Sequence, residues 1–514
     1  MSARNRELVN LIVVGLLMSA AFASVYIARQ EEVNSASLTY AAFFFALYLI
    51  AHMVARYTVP YADPYLLPLA GLLSAISLTE IYRLNADDAF RQGLWVVVGV
   101  AAFAGTLLAL RRDYRVLEQY KYLFGLYLVA HLVARVTIPL ADPYLLPMAA
   151  LLTAIGVTEI YRIRPGDAFR QGVWIIIAVG VFAGTLLALR RDYRRLESYK
   201  YIFGLTAIGL LILPVLPGLG TTVNGARLWI HFGSLQFQPG EIAKLCLIVF
   251  LAGYLREKRE VLAQGRLKDF GPLLVIWGGA MLVLVETNDL GSALLYFGIF
   301  LAMLYVATGR LLFTAIGVAL FLAGSYFVYT RVSHVHERVT IWLHPWTDHK
   351  VYCALDGKLA LRQDCGSFQL VKSLYSVANG GFGGTGLGKG TFETAQGHPL
   401  IPYLNTDFIY SALAQELGLI GIAAFLLLFM VFVLRGMRIA LLADDGFSKL
   451  AAAGLTFGFA LQTFIIVGGI LRIIPLTGIT LPFVSYGGSS VVANFVLLAG
   501  LLLISNRANA PKNI

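Results

Sequence analysis

Apolar runs of 17–25 residues recur along the whole chain, separated by short polar connections. Runs of that length suit membrane-spanning helices, because about 20 apolar residues at 1.5 Å rise cross the hydrocarbon core. From Leu145 onward the pattern is regular and predicts ten spans: 145–162, 172–189, 201–217, 240–255, 272–287, 290–307, 312–330, 406–434, 448–471 and 482–505. About four or five further hydrophobic segments lie before it. The expected fold class is therefore an all-α polytopic membrane protein, with a ten-helix core over 145–505, an N-terminal membrane extension over 1–144 and a cytoplasmic tail over 506–514. The first run, Leu8 to Ile27, has the look of a signal peptide. No small-residue cleavage site follows it, and it reads as a retained helix.

The extension contains a tandem duplication. Residues 48–125 return at 127–204, offset by 79 positions. YLIAHMVARYTVPYADPYLLP becomes YLVAHLVARVTIPLADPYLLP, and TEIYR, DAFRQG and FAGTLLALRRDYR recur in register. Two copies do not make a solenoid. Each copy holds three apolar segments, an odd number, so full crossings throughout would put the two RRDYR loops on opposite sides. The weakest segment, 123–139, carries His131 and Arg135. A charge at mid-helix costs about 2.5–3.5 kcal/mol on insertion scales. This segment is expected to be interfacial or re-entrant; if it spans, one copy is inverted.

Composition agrees with the pattern: 58% of the 514 residues are hydrophobic and 13% charged. A net charge of +11 would suggest nucleic acid in a soluble protein. Here the bases cluster in short loops, RRDYRVLEQYK (111–121), RRDYRRLESYK (190–200), LREKRE (255–260) and LRGMR (434–438). That is the positive-inside pattern, and it excludes nucleic acid as the reason for the charge. With those loops cytoplasmic, the long loop 331–405 faces outward. Cys246 lies in an apolar span as a small core residue. Cys353 and Cys365 both lie in the outer loop, where a disulfide is permitted. A metal pair is the alternative, but no further ligand set accompanies it.

Three polar patches interrupt the outer side. NGARLWIHFGSLQFQPGEIAKL (224–245) re-enters the membrane with Glu241 and Lys244 three apart on one helix face, able to pair. Its Arg227 suits a phosphate or an interfacial anchor. ETNDLGSALL (286–295) brings Glu286 and Asp289, either facing an aqueous cavity or, with Asn288 or Asp289, capping the next helix. The third, NGGFGGTGLGKGTFETAQGHPLIPYLNTDFIYSALAQELGLIG (379–421), runs from a glycine-rich loop to Asp407 at the mouth of a long apolar helix. GGTGLGKG matches the glycines and lysine of a P-loop, but Gly390 stands where Ser or Thr would hold magnesium, and nucleotide binding is rejected. Lys389 could meet an anionic headgroup, or the loop is structural. Asp407 reads either as a helix cap or as a general base held near a useful pKa by partial burial. Glu416, deeper in the same helix, is expected to line the same cavity.

Together with PLTGITLPFVSYGGSS (475–490), these patches, in this order, resemble the SEDS family (shape, elongation, division and sporulation), which includes RodA and FtsW. The resemblance covers about residues 145–505. It implies a ten-helix peptidoglycan glycosyltransferase of the bacterial plasma membrane that polymerises lipid II at the outer membrane face during cell elongation or division. It maps the family's essential acid onto Asp407, its paired charges onto Glu241 and Lys244, and a further acid onto Asp289. The expected partner is a class B penicillin-binding protein, a transpeptidase. No cofactor is evident, although a divalent cation could share the charge of the diphosphate with Arg227, Lys244 and Lys389. The sequence departs from the family at Gly240, where Ser is usual, and at Asn405, where His is common. The rival functions are a flippase for lipid-linked precursors, which needs a cavity open alternately to both faces, and a non-catalytic scaffold of a cell-wall complex.

Overall fold

The computed structural model describes residues 3–28, 35–58, 63–84, 86–110, 121–217, 219–223, 226–232, 235–263, 271–287, 289–347, 350–352, 359–392 and 400–510. The first RRDYR loop (111–115) and Cys353, hence the expected Cys353–Cys365 disulfide, lie outside the described residues. The chain divides into two units, Met1–Lys121 and Tyr122–Ile514.

The first unit holds α1 (Ala3–Ala28), α2 (Ser35–Thr58), α3 (Leu66–Leu84) and α4 (Ala86–Leu110). α1 and α4 each pack on both α2 and α3. Leu11, Val14, Met18 and Phe22, three and four apart, bury one stripe of α1 against Phe44, Tyr48 and Ala51 of α2. Among the described residues, buried charges enter this core as a set: Arg4 Nη1 donates to Glu7 at 2.5 Å, and Glu7 pairs with His52 Nδ1 at 2.7 Å.

The second unit opens with α5 (Lys121–Thr137), followed by α6 (Leu145–Ile163), α7 (Pro165–Leu189) and α8 (Lys200–Ile212). Then come α9 (Pro239–Glu257), α10 (Gly271–Glu286), α11 (Leu290–Thr308) and α12 (Leu311–Arg331). α13 (Ser333–Leu343) and α14 (Phe368–Gly380) lie in the long loop, and α15 (Ile409–Leu442), α16 (Gly446–Ile470) and α17 (Gly488–Ala508) complete the chain. α6 to α12 with α15 to α17 are the ten helices that hydropathy predicts. Several ends differ, the C-terminal end of α15 by eight residues, because caps and polar ends, not hydropathy, stop a helix. A polytopic all-α membrane protein results. Beyond the pattern's reach is a small antiparallel sheet, β1 (Gly220–Val223), β2 (Ala226–Phe232) and β3 (Leu235–Phe237), in that spatial order. It forms where Pro214, Pro217 and Gly220 end α8 and the polar stretch before Pro239 cannot continue as helix.

α17 is the axis of this unit, with Phe495, Leu498, Ala499 and Leu501 fully buried. A ladder of rings fixes its neighbours: Phe432 stacks on Phe459 at 4.2 Å, and Phe483 meets Phe495 edge-on at 5.7 Å. α5 does not lie across the end of α6. Tyr127 bonds Thr153 midway along α6 at 2.8 Å and its ring sits 5.9 Å from Phe495, while Leu140 N, just past α5, bonds Asn506 at the end of α17. Eleven residues separate Asn506 from Phe495, so α5 runs beside α17 for at least about 16 Å of helix.

α15 is broken at Gly418, whose φ of 65° and ψ of −173° are open to glycine and hostile to other residues. The break frees helix backbone groups, and the glycine-rich loop takes them up. Thr385 N and Gly386 N donate to the carbonyls of Gln415 and Glu416 at 2.9 and 3.1 Å. Leu419 N and Ile420 N donate to those of Gly381 and Phe382 at 3.0 and 3.2 Å. A Cβ at Gly418 would fall 2.1 Å from Gly384 N, and one at Gly384 would fall 2.1 Å from Glu416 O. We predict that Gly418→Ala and Gly384→Ala each lower the thermal unfolding midpoint of the detergent-solubilised protein. A side chain in such a sparsely populated backbone region costs about 1–3 kcal/mol, and the backbone contact adds to it. Unchanged midpoints would show that the loop is not clamped in this way.

Candidate active site

Asp407 stands two residues before α15 and is held by the irregular chain around it. Tyr486 N donates to Asn405 O at 2.9 Å, and Ser485 Oγ to Thr406 O at 2.6 Å. Asn405 Nδ2 donates to Asp167 at 3.0 Å, and Gln171 Nε2 to Ser485 O at 3.3 Å. The fourth sequence motif is thus the bed on which the Asp407 segment rests. Tyr403, at φ 59°, and Phe483, at φ 63°, adopt left-handed backbone on either side of this contact. Strain of that kind persists only where the surroundings enforce it.

A cavity of about 460 Å³ opens here. Its wall includes Asp407, Glu241, Asp289 and Arg338, with Arg164 and Arg170 from the start of α7. β2 contributes Trp229 and His231, and Thr477 to Thr480 with Tyr486 to Gly488 close the far side. A second cavity of about 310 Å³ is bounded by Glu337, Trp342, Gln369 and Leu370. Arg338, Tyr403, Asp407 and Gly478 line both. Asp407 and Arg338 therefore sit on the partition between two chambers.

The electrostatics of the partition are asymmetric. Burial pushes the Asp407 carboxyl up to about 6, while the Arg338 guanidinium and the Thr406 hydroxyl pull it down. Asp289 is buried and also raised, first by desolvation and further by the charge of Glu241, against the pull of its Ser292 contacts and Arg338. Arg338 is lowered by burial, with Asp289 and Asp407 opposing. One half-buried guanidinium thus serves two acids, and neither is locked in a close ion pair.

Of the residues singled out from sequence, Asp407, Glu241 and Asp289 meet at the larger cavity. Asp289 fills both roles weighed for it: its Oδ1 accepts from Ser292 N at 3.0 Å as the cap of α11. Lys244 is buried behind the wall. Its Nζ donates to Glu241 at 2.8 Å and to Gln462 at 2.7 Å, and Gln462 in turn donates to Thr480 O. It positions Glu241 and does not line the cavity. Arg227 donates to Leu216 O at 3.2 Å, anchoring the sheet, and is absent from the wall. Lys389 is exposed and also absent from it.

Glu416 is the clearest correction, because it does not share the cavity of Asp407. It is 2% exposed and accepts from Gly388 N and Gly390 N at 3.2 and 3.1 Å. It also pairs with Arg162, which donates to Gly390 O at 2.8 Å and covers the Phe392 ring at 4.4 Å. The glycine-rich loop is a structural clamp, and Lys389 is carried on its outer edge.

Arg338, Arg164 and Arg170 were not singled out from sequence. Arg338 belongs to a loop helix with no hydropathy signal. Arg170 lies in the repeated DAFRQG string, where duplication hid a functional reading behind a topological one. Among the described residues no group of three or more His, Cys, Asp and Glu is arranged to hold a metal.

A family model for the FtsW, RodA and SpoVE cell cycle proteins matches residues 140–510. The chain is 38% identical over 442 residues to the peptidoglycan glycosyltransferase RodA of Mycobacterium leprae, covering 82% of this chain and 90% of that relative. It is 33% identical over 374 residues to the probable peptidoglycan glycosyltransferase FtsW of Geobacter metallireducens, covering 71% and 95%. A solved peptidoglycan synthase complex, described for its coordination of polymerization and crosslinking, contains a chain of similar fold. That match has a TM-score of 0.56 and 26% identity, and covers 71% of this chain and 98% of the other. An aspartate-to-alanine mutant of the rod shape determining protein RodA of Thermus thermophilus shares the fold at a TM-score of 0.52 and 24% identity, covering 72% and 99%. The chain belongs to the FtsW, RodA and SpoVE family of cell cycle proteins.

Proposed function

We propose that Asp407 is the general base of a lipid II polymerase whose two substrates meet across the Asp407–Arg338 partition. The chain is a peptidoglycan glycosyltransferase, the activity its curated relatives carry in their names. The observation that carries the proposal is a partly buried carboxyl, raised to about 6 and exposed to two chambers at once. A base with that pKa is ionised at neutral pH and still close enough to protonation to accept a proton in the transition state.

Asp407 takes the proton of the acceptor sugar's 4-hydroxyl. The hydroxyl oxygen attacks the donor's anomeric carbon, the bond to the diphosphate breaks, and undecaprenyl diphosphate leaves with the electron pair. The larger chamber suits the donor, since Arg164, Arg170 and Arg338 can meet diphosphate oxygens. The smaller chamber, with Trp342, Gln369 and Tyr403, suits an uncharged acceptor sugar. Three arginines supply the countercharge, so the proposal requires no resident cofactor; a divalent cation would enter with the diphosphate.

The outer membrane face is the proposed site of reaction. Asp407 precedes α15, while the basic LRGMR string lies towards its other end, and basic strings are retained in the cytoplasm. A crosslinking transpeptidase of the class B penicillin-binding type is the proposed partner, by likeness to the solved synthase complex.

Asp407→Asn keeps the shape and removes the basicity. We expect it to lower lipid II polymerisation by the purified protein by about 10²–10⁴-fold, read as glycan product on gels. Normal product from a folded Asp407→Asn would move the base elsewhere. The same variant tests the electrostatics. A carboxyl raised in the folded state contributes stability below its unfolded pKa and loses it as pH rises through about 6. Asp407→Asn should therefore be more thermostable than wild type at pH 7.5, with the gain vanishing near pH 4.

The polymerisation rate of wild type should fall about tenfold per pH unit below a midpoint near 6. Arg338→Gln removes the cation that holds Asp407 down, so its midpoint should move to higher pH in addition to any loss of rate. A slower Arg338→Gln enzyme with an unmoved midpoint would leave Arg338 as a substrate contact only.

A further inference from the structure

The duplication provides the same sequence in two surroundings. Equivalent residues are 79 apart, and the two copies share their local geometry. Tyr48 OH donates to Ser74 Oγ at 3.0 Å in the first, and Tyr127 OH to Thr153 Oγ1 at 2.8 Å in the second. Tyr65 N donates to Asp63 Oδ1 at 2.8 Å, and Tyr144 N to Asp142 Oδ1 at 3.0 Å.

In the second copy, α17 packs along one face of α7, and α15 together with α17 covers α6. Leu145, Leu152 and Phe182 are 0% exposed. Phe495 of α17 lies 5.9 Å from Tyr127 and 6.1 Å from Phe182. The polar groups of this face are also taken up. Gln171 accepts from Gly487 N just before α17, and Asp142 N and Oδ2 meet Ser505 Oγ of α17 at 3.0 Å and Arg435 Nε of α15 at 2.8 Å.

In the first copy the same face is open. Leu66, Leu73 and Phe103, equivalent to the three residues above, are 67%, 62% and 37% exposed. The face is concave, with a groove of about 630 Å³ lined by Tyr48, Asp63, Ser74, Gln92, Gly99 and Phe103. That volume takes the side chains of one helix face. The second copy uses the equivalents of these residues to hold α17.

We propose that this groove docks one transmembrane helix of a partner membrane protein. Lipid chains suit an apolar surface, but not one carrying Asp63 and Gln92, whose counterparts both need protein partners. Ala51, Ala70 and Gly99 leave room for a close backbone approach. A second copy of this chain cannot offer its own α17, which is buried in its own bundle. The partner helix carries small residues at the Gln92 end, an aromatic side chain facing Tyr48 and Phe103, and a hydroxyl or basic residue at the Asp63 end.

The probe is a synthetic peptide of residues 488–508, GSSVVANFVLLAGLLLISNRA, added to the full-length protein in phospholipid nanodiscs. Phe103→p-benzoylphenylalanine places a photocrosslinker in the groove. Gly99→Trp fills the groove, and a Cβ at Gly99 meets nothing within 4 Å, so the fold tolerates it. Leu17→Trp, at an exposed position of α1 outside the groove, is the control. The expected result is a one-to-one peptide crosslink that falls at least tenfold with Gly99→Trp and persists with Leu17→Trp. Polymerisation activity unchanged in both variants confirms folding. Equal crosslinking in Gly99→Trp overturns the proposal. So does a product containing only phospholipid, or only a second copy of the chain, at saturating peptide.

Discussion

Inside a bilayer every backbone N–H and C=O must find a partner within the protein, and irregular chain survives only where protein covers it. The candidate active-site region is built under that constraint. The segments 401–408 and 471–487 are both non-helical, and each supplies the other's missing partners through the Tyr486–Asn405 and Ser485–Thr406 contacts. The break at Gly418 is resolved in the same way by the glycine-rich loop, with Glu416 and Arg162 tying down what remains. Asp407 lies between these two repairs. The hydrogen bonds of the first hold its segment, so a carboxyl can stand at a cavity wall without a close ion pair.

That freedom separates Asp407 from the other acids. Glu241 has a lysine at 2.8 Å, and Glu416 has an arginine and two backbone amides. The carboxylate oxygens of both are already taken up by close partners. Asp407 has Arg338 as a neighbour and burial as the larger influence, which leaves it near 6. Arg338 in turn divides its charge between Asp407 and Asp289. A single tight pair would have produced a stable ion pair and a poor base.

The ten helices were legible because each is a long apolar run, and the membrane sets their length. Asp407, Glu241 and Asp289 were legible as polar residues at the ends of those runs. What hydropathy could not supply was the third dimension of the polar segments. Lys389 and Glu416 sit in the same motif as Asp407, yet the kink at Gly418 turns Glu416 into a clamp and leaves Lys389 outside. Arg338 belongs to a short amphipathic helix inside a long loop, and only folding carries it to Asp407. The sheet that displaces Arg227 from the cavity forms from seven- and three-residue strands with turn residues between them, too short for a periodicity to show.

The duplicated segment sets a firmer limit on sequence reading. Leu66 and Leu145 stand in the same PYLLP string, followed by nearly the same helix, yet one is exposed and the other fully buried. In water such a difference would carry a large hydrophobic cost. In a bilayer it does not, since lipid replaces a packed helix on an apolar surface at little expense. Polar groups are what distinguish the two environments. Asp142 and Gln171 have protein partners because lipid offers them none, and the first copy retains Asp63 and Gln92 in the same register. In membrane proteins, then, the few polar residues on an apolar face, more than its leucines, indicate whether that face meets protein.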